Sequence, residues 1–138
     1  MEYSIGELAA LFGLATHVLR HWEDMGLLRP ARRVAGRRVY DETHVGRVAE
    51  IQLGKEAGFR LEQLRDLFAA PGRDRRRELL RAELAQVRER IARLTLAEKL
   101  LEHGLRCRHE DYQACPRFRE MVLARVAGVE LAEALDHD

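Results

Sequence analysis

"SIGELAALFGLATHVLRHWEDMGLLRPARRVAGRRVY", Ser4 to Tyr40, decides the fold. Its opening "SIGE" has the form of a capping box, in which Ser4 accepts from the Glu7 amide and Glu7 reaches back to Ser4. Ile5, Leu8 and then Leu11 or Phe12 share one helical face, and Gly13 stops the helix. A second helix is predicted from about Ala15 to Met25, with Val18, Leu19 and Trp22 as its apolar side and Gly26 at its end. Two short helices joined by a tight turn predict a helix-turn-helix.

The chain then collects Arg29, Arg32, Arg33, Arg37 and Arg38, with no acidic residue between Met25 and Tyr40. "RRVAGRRVY" reads as two short extended segments around a turn at Ala35-Gly36, a wing. Asp41 caps a third helix running to about Ala57, with Val45, Val48, Ile51 and Leu53 as candidates for its core face. "RLEQLRDLFAA" gives a short fourth helix with Leu61, Leu64, Leu67 and Phe68 apolar, and Pro71-Gly72 ends the domain.

From Asp74 to about Gly104 the period changes. Leu80, Val87, Leu94 and Leu101 recur every seven residues, with Leu84 and Ile91 between them, flanked by charges. A helix of ~30 residues is ~45 Å long. It has no small domain in which to bury that seam, so pairing with a second copy is expected. The fold class is therefore mainly α: a winged helix-turn-helix, a long coiled-coil helix for dimerisation, then a short C-terminal loop and helix. The expected domain boundaries are 1–71, 72–104 and 105–138. In the last part Pro116 opens a short helix, "RFREMVLARV", and "LDHD" is a frayed tail.

Composition limits the alternatives. The 138 residues are 46% hydrophobic and 34% charged, enough for a core, and the formal net charge is only +1. Anion binding must therefore come from local clusters. No apolar run approaches ~18 residues, so no membrane span is expected. The N-terminus lacks a basic region and a cleavage site, and the cytoplasm, with the nucleoid, is the expected location. A Gly-rich phosphate loop, a G-x-S-x-G nucleophile motif and a paired carboxylate site are all absent, which argues against an enzyme.

The arginines have a chemical reading. The start of the second helix of a helix-turn-helix enters the major groove of double-stranded DNA. Here it offers Thr16, His17 and Arg20, with His21 beside them. Thr16 and His17 reach phosphates or base edges, and the Arg20 fork suits phosphate or guanine. The wing adds Arg32, Arg33, Arg37 and Arg38, whose guanidinium groups bind phosphate and release counterions. Tyr40 offers its hydroxyl to the DNA backbone. Each of these features alone is as often a solvated surface; their combination with a dimer helix points to DNA.

At these residues the chain resembles the DNA-binding domain of the MerR family of bacterial transcription regulators. The resemblance covers residues 4–68 and rests on "IGELA", "LRHWEDMGLL", "GRRVYDE" and "GFRLEQL" in that order. The long helix matches the family's antiparallel dimerisation helix in position and length. The resemblance implies a homodimer on near-palindromic promoter DNA. It also implies bending and untwisting of an over-long spacer, so that RNA polymerase engages both of its recognition elements. By position it gives Thr16, His17 and Arg20 on the recognition helix, and Arg37, Arg38 and Tyr40 in the wing. The family more often has an aromatic pair at His21-Trp22, a tyrosine at Arg37 and a serine at Arg60.

The two cysteines, Cys107 and Cys115, lie in "CRHEDYQACP" with seven residues between them. Soft thiolates select Cu(I) or Zn(II), and His109 is a further candidate ligand. The spacing is similar to the metal loop of the family's copper-responsive members. Zinc- and mercury-type members carry another cysteine near the start of the dimer helix, where this chain has Gly72, Arg73 and Asp74. Three roles are open to the pair: metal sensing, thiol-redox sensing, and plain packing of the loop. Only about 30 residues follow the dimer helix, which argues against a large dedicated pocket for an organic ligand.

Overall fold

The computed structural model describes residues 1–135. The chain divides into two compact units, the first spanning Met1–Ala85 and the second beginning at Gln86. In order, the elements are α1 (Ile5–Leu11), α2 (Thr16–Asp24), β1 (Arg32–Val34), β2 (Arg37–Val39), α3 (Glu42–Glu56), α4 (Leu61–Phe68), α5 (Arg73–Arg106), α6 (Pro116–Val126) and α7 (Leu131–Leu135). A 3-10 turn covers Tyr112–Ala114.

In the first unit the expected capping box closes α1. The Glu7 amide donates to Ser4 Oγ at 3.1 Å, and the Ser4 amide donates to Glu7 Oε1 at 3.0 Å. β1 and β2 form a two-residue hairpin, with Arg33 opposite Arg38 and Val34 opposite Arg37. Its turn residues Ala35 and Gly36 both have positive φ, +52° and +77°. That is the backbone sense that suits strand twist in a tight hairpin, natural for Gly36 and strained for Ala35. The hairpin is fastened at its base, where Tyr3 and Tyr40 exchange two backbone hydrogen bonds of 2.8 Å.

The core of this unit is made by Leu8, Leu19, Trp22, Leu28, Tyr40, Val48, Ile51 and Leu64, all essentially without solvent access. Trp22 is thus a core residue, with Lys55 Nζ 5.9 Å from its ring centroid. Leu53 departs from expectation: it is 66% exposed. Two helical steps from Ile51 turn it through about 200°, away from the core face. Leu11 is also exposed, and Phe12 takes the inward position. His44 is buried on α3 and joins three segments. Its Nδ1 accepts from the Asp41 amide at 3.1 Å, and its Nε2 lies 3.1 Å from the Arg29 carbonyl. Arg60 supplies no side-chain cap to α4; Gln63 Oε1 accepts from its amide instead, at 2.8 Å.

α5 has 34 residues. Its heptad positions are open in the single chain: Leu80, Leu84, Ile91, Leu94 and Leu101 are between 43% and 69% exposed, and Val87 is partly buried. None of the described helices is long and apolar enough to cross a membrane.

In the second unit α6 starts with Pro116 at its first turn, as expected. Tyr112 packs edge-on against Phe118, with ring centroids 5.4 Å apart. The α7 helix follows α6, where the sequence pattern assigns no element. Arg117 Nη2 donates to the Ala134 carbonyl at 3.0 Å and holds the end of α7 against α6. Leu135 is helical; the other three residues of "LDHD" lie outside the described residues.

Candidate nucleic-acid interface

α2 presents two faces. Leu19 and Trp22 are buried, while His17, Arg20 and His21 are exposed and Thr16 is half-buried. His17, Arg20 and His21 are three and four residues apart, so they form one outward stripe. The N-cap, Ala15, has no side-chain acceptor to offer. The Val18 amide donates to the Ala15 carbonyl at 3.1 Å, and the Thr16 and His17 amides are left for an external acceptor, which phosphate oxygens satisfy well.

The wing arginines fall into distinct groups. Arg37 is exposed and, like Arg20, has no ion-pair partner among the described residues. Arg33 is exposed, with Nη1 only 3.3 Å from the Gly36 carbonyl across the turn. Arg32 is exposed and paired with Glu2. Arg38 is half-buried and directed inward, with Nη1 3.2 Å from Glu23 Oε2. Arg29 donates to Thr43 Oγ1 at 2.6 Å.

Tyr40 requires a correction. It is fully buried, and its hydroxyl donates to Glu23 Oε1 rather than standing free for a phosphate. Burial first, and the hydrogen bond to Glu23 second, push its pKa up to about 12. Its role is positional: it holds the base of the wing to the end of α2. Glu23 is the functional neighbour that the sequence reading missed. The signal for it was an acid at the end of the recognition helix, followed by a run of arginines that needed one counter-charge.

Cys107 follows α5, and Cys115 is the N-cap of α6. Both are free thiols, Cys115 buried and Cys107 partly so. The backbone amide of Phe118 draws the Cys115 pKa below the ordinary thiol value, burial opposes this, and the Cys107 thiol and the Arg117 amide add to the lowering. The thiolate of Cys115 is thus favoured mainly by amide donors at the start of α6. His109 is exposed, and no group of three or more His, Cys, Asp or Glu side chains able to hold a metal occurs among the described residues. The donor set is two thiols, which fits a two-coordinate monovalent ion such as Cu(I). A four-coordinate Zn(II) site is not complete on these residues.

Comparison with known proteins places this geometry. Residues 3–70 match the model of the MerR HTH family regulatory proteins, and residues 45–104 match that of the MerR DNA-binding region. The HTH-type transcriptional regulator HmrR of Rhizobium leguminosarum is 32% identical over 124 residues, 86% of this chain and 96% of that protein. The HTH-type transcriptional activator TipA of Streptomyces coelicolor is 30% identical over 118 residues, 80% of this chain but only 47% of TipA. Among solved structures, the transcription regulator PbrR691 of Ralstonia metallidurans in complex with lead(II) is 28% identical with a TM-score of 0.60, covering 82% of this chain and 94% of that one. HiNmlR, a MerR family regulator bound to promoter DNA, shares the fold at 22% identity and the same TM-score, over 94% of this chain and 97% of its own. With the helix-turn-helix, the arginine wing and the long helix in place, the chain belongs to the MerR family of DNA-binding transcriptional regulators and is not an enzyme.

Proposed function

We propose that the protein acts as a homodimer on near-palindromic promoter DNA. Each recognition helix enters a major groove and each wing holds flanking backbone. The bound dimer bends and untwists the promoter so that RNA polymerase engages it. The observation that carries this reading is the outward stripe His17, Arg20 and His21, together with the exposed Arg37, which has no ion-pair partner among the described residues. A cation without a protein partner has its full charge available for phosphate. The exposed seam residues Leu80, Leu84, Ile91, Leu94 and Leu101, with partly buried Val87 between them, support pairing with a second copy, and an antiparallel arrangement would space two recognition helices along one duplex. A cytoplasmic, nucleoid-associated location accords with this role. The test is binding of the full chain to its own promoter region at several salt concentrations, with circular-permutation gel shifts to read bending. A salt-dependent, bent complex is expected. Equal affinity for random duplex would overturn the reading.

The thiol pair supports a second step, control by an effector. Heavy metal-dependent transcription regulator 1 of Rhizobium meliloti is 29% identical over 120 residues. We infer that Cys107 and Cys115 hold a soft monovalent ion, Cu(I) in preference to Zn(II), because both are free thiols and no group of three or more His, Cys, Asp or Glu able to hold a metal occurs among the described residues. Thiol oxidation by the same pair is the competing reading. An anaerobic titration with Cu(I), and separately Zn(II), against a strong chelator separates them. Chelator-resistant Cu(I) binding that disappears in Cys107→Ser and Cys115→Ser supports metal control. Absence of binding, with reversible loss of both thiols under mild peroxide, supports the redox reading.

A further inference from the structure

The described residues contain a pocket that neither the DNA surface nor the thiol pair uses. It has a volume of about 620 Å³ and lies wholly within the second unit, between α5, α6 and α7. Leu96 and Leu100 of α5, Phe118 and Met121 of α6, and Leu131 of α7 give it an apolar lining. The volume is that of small-molecule sites, which run roughly 300–1,000 Å³. The short C-terminal part argues against a large dedicated pocket, and this one is of moderate size. The room comes from α7, whose return along α6 supplies the pocket with a third wall.

The charges at the pocket are unequal. Arg125 and Glu130 both line it and face each other at 3.6 Å, so they neutralise one another. Arg93 also lines it, is exposed, and has no ion-pair partner among the described residues. One uncompensated cation therefore stands beside an apolar chamber. Met121, 8% exposed, supplies an adaptable surface for a body of variable shape.

We propose that this pocket binds a small amphipathic organic anion, its apolar body between α5, α6 and α7 and its carboxylate or sulfonate on Arg93. Arg93, Leu96 and Leu100 share one face of α5, and the seam residues Leu94 and Leu101 lie one residue further along the same turns. An occupant is thus placed to bear on the helix that carries the seam. The site stands whatever role the thiols have.

The test uses the reduced full chain and two dyes: anilinonaphthalene sulfonate, and its uncharged relative phenylnaphthylamine. Saturable binding of both, about one per chain, is expected from fluorescence titration. Arg93→Gln should weaken the sulfonate about tenfold, the scale of one charge-assisted hydrogen bond, and leave the neutral dye unchanged. Ala132→Phe, which fills the pocket, should abolish both while thermal melting shows an intact fold. Decanoate should displace the sulfonate dye. No saturable binding would overturn the proposal, as when a second copy of the chain already fills the groove. So would equal affinity of the sulfonate for Arg93→Gln, or undiminished binding by folded Ala132→Phe. If Ala132→Phe does not fold, Arg93→Gln decides alone, since its side chain is exposed.

Discussion

The hydroxyl of Tyr40 and the carboxylate of Glu23 are joined by a hydrogen bond that ties the end of the wing to the end of the recognition helix. Arg38 completes the clamp from β2, 3.2 Å from the other oxygen of the same carboxylate. The Glu23 side chain is only 10% exposed, and these two partners occupy its two oxygens. The clamp fixes the spacing between the helix stripe and the arginine wing.

Tyr40→Phe keeps the ring and removes the donor. It leaves a nearly buried carboxylate with one partner fewer, and a cost of about 1–3 kcal/mol in folding stability is expected, read by thermal melting at neutral pH. The wild type also carries a pH signature. The folded pKa of Tyr40 is about 12 against an ordinary 10.0, so the folded state holds the proton more tightly. This contribution is complete below pH 10 and is lost as pH rises through about 12. Tyr40→Phe should lack this alkaline loss; an identical alkaline profile would show that Tyr40 is not the group responsible.

The wing arginines should separate into contacts and supports. Arg37→Ala removes an exposed, unpaired cation, so promoter affinity should fall and the salt slope of binding should drop by about 1, with melting unchanged. Arg38→Ala, whose wild-type guanidinium faces Glu23, should lower the melting temperature as well. Fluorescence anisotropy at several salt concentrations, set beside melting curves, distinguishes the two. Matching effects from both substitutions would mean that the wing acts as one undivided basic surface.

The seam makes a separate prediction about assembly. Leu94 and Leu101 are 69% and 68% exposed in the single chain, so a charge at either is harmless to the monomer. Leu94→Glu with Leu101→Glu places like charges in a coiled-coil interface. Sedimentation equilibrium should then report 15.9 kDa in place of twice that mass, with promoter affinity lost alongside. A variant that remains dimeric would show that these leucines lie outside the interface.

Much of this architecture was legible in local pattern. The capping box at Ser4, the Ala35-Gly36 hairpin and the heptad leucines are short-range signals, and each stands where the sequence puts it. What was illegible depends on contacts far apart in sequence. Tyr40 reads as a surface hydroxyl beside arginines, until Glu23, 17 residues earlier, is brought to it. His44 carries no signal of burial in the local pattern; its Nε2 meets the carbonyl of Arg29, 15 residues earlier. The α7 helix has five residues, too few for a period to show, and is held by Arg117 from 17 residues away. The pocket beside Arg93 exists only because that helix folds back, so no local motif announces it.

Gly54 tests the packing that seats α4 on α3. An added Cβ there meets Leu64 Cδ2 at 2.3 Å and Cδ1 at 3.2 Å. Leu64 is 1% exposed and belongs to the core cluster, so moving it disturbs its packed neighbours. Two effects oppose one another in Gly54→Ala. Better helix propensity favours alanine by about 0.8–1.0 kcal/mol, and overpacking costs about 1–3 kcal/mol. The clash should win, giving a net loss of up to about 2 kcal/mol by chemical denaturation. Removing the obstacle reverses the sign: Leu64→Ala alone costs about 2–5 kcal/mol, yet within that background Gly54→Ala should be stabilising. If Gly54→Ala stabilises the otherwise unchanged protein, the two helices are not in the close contact described.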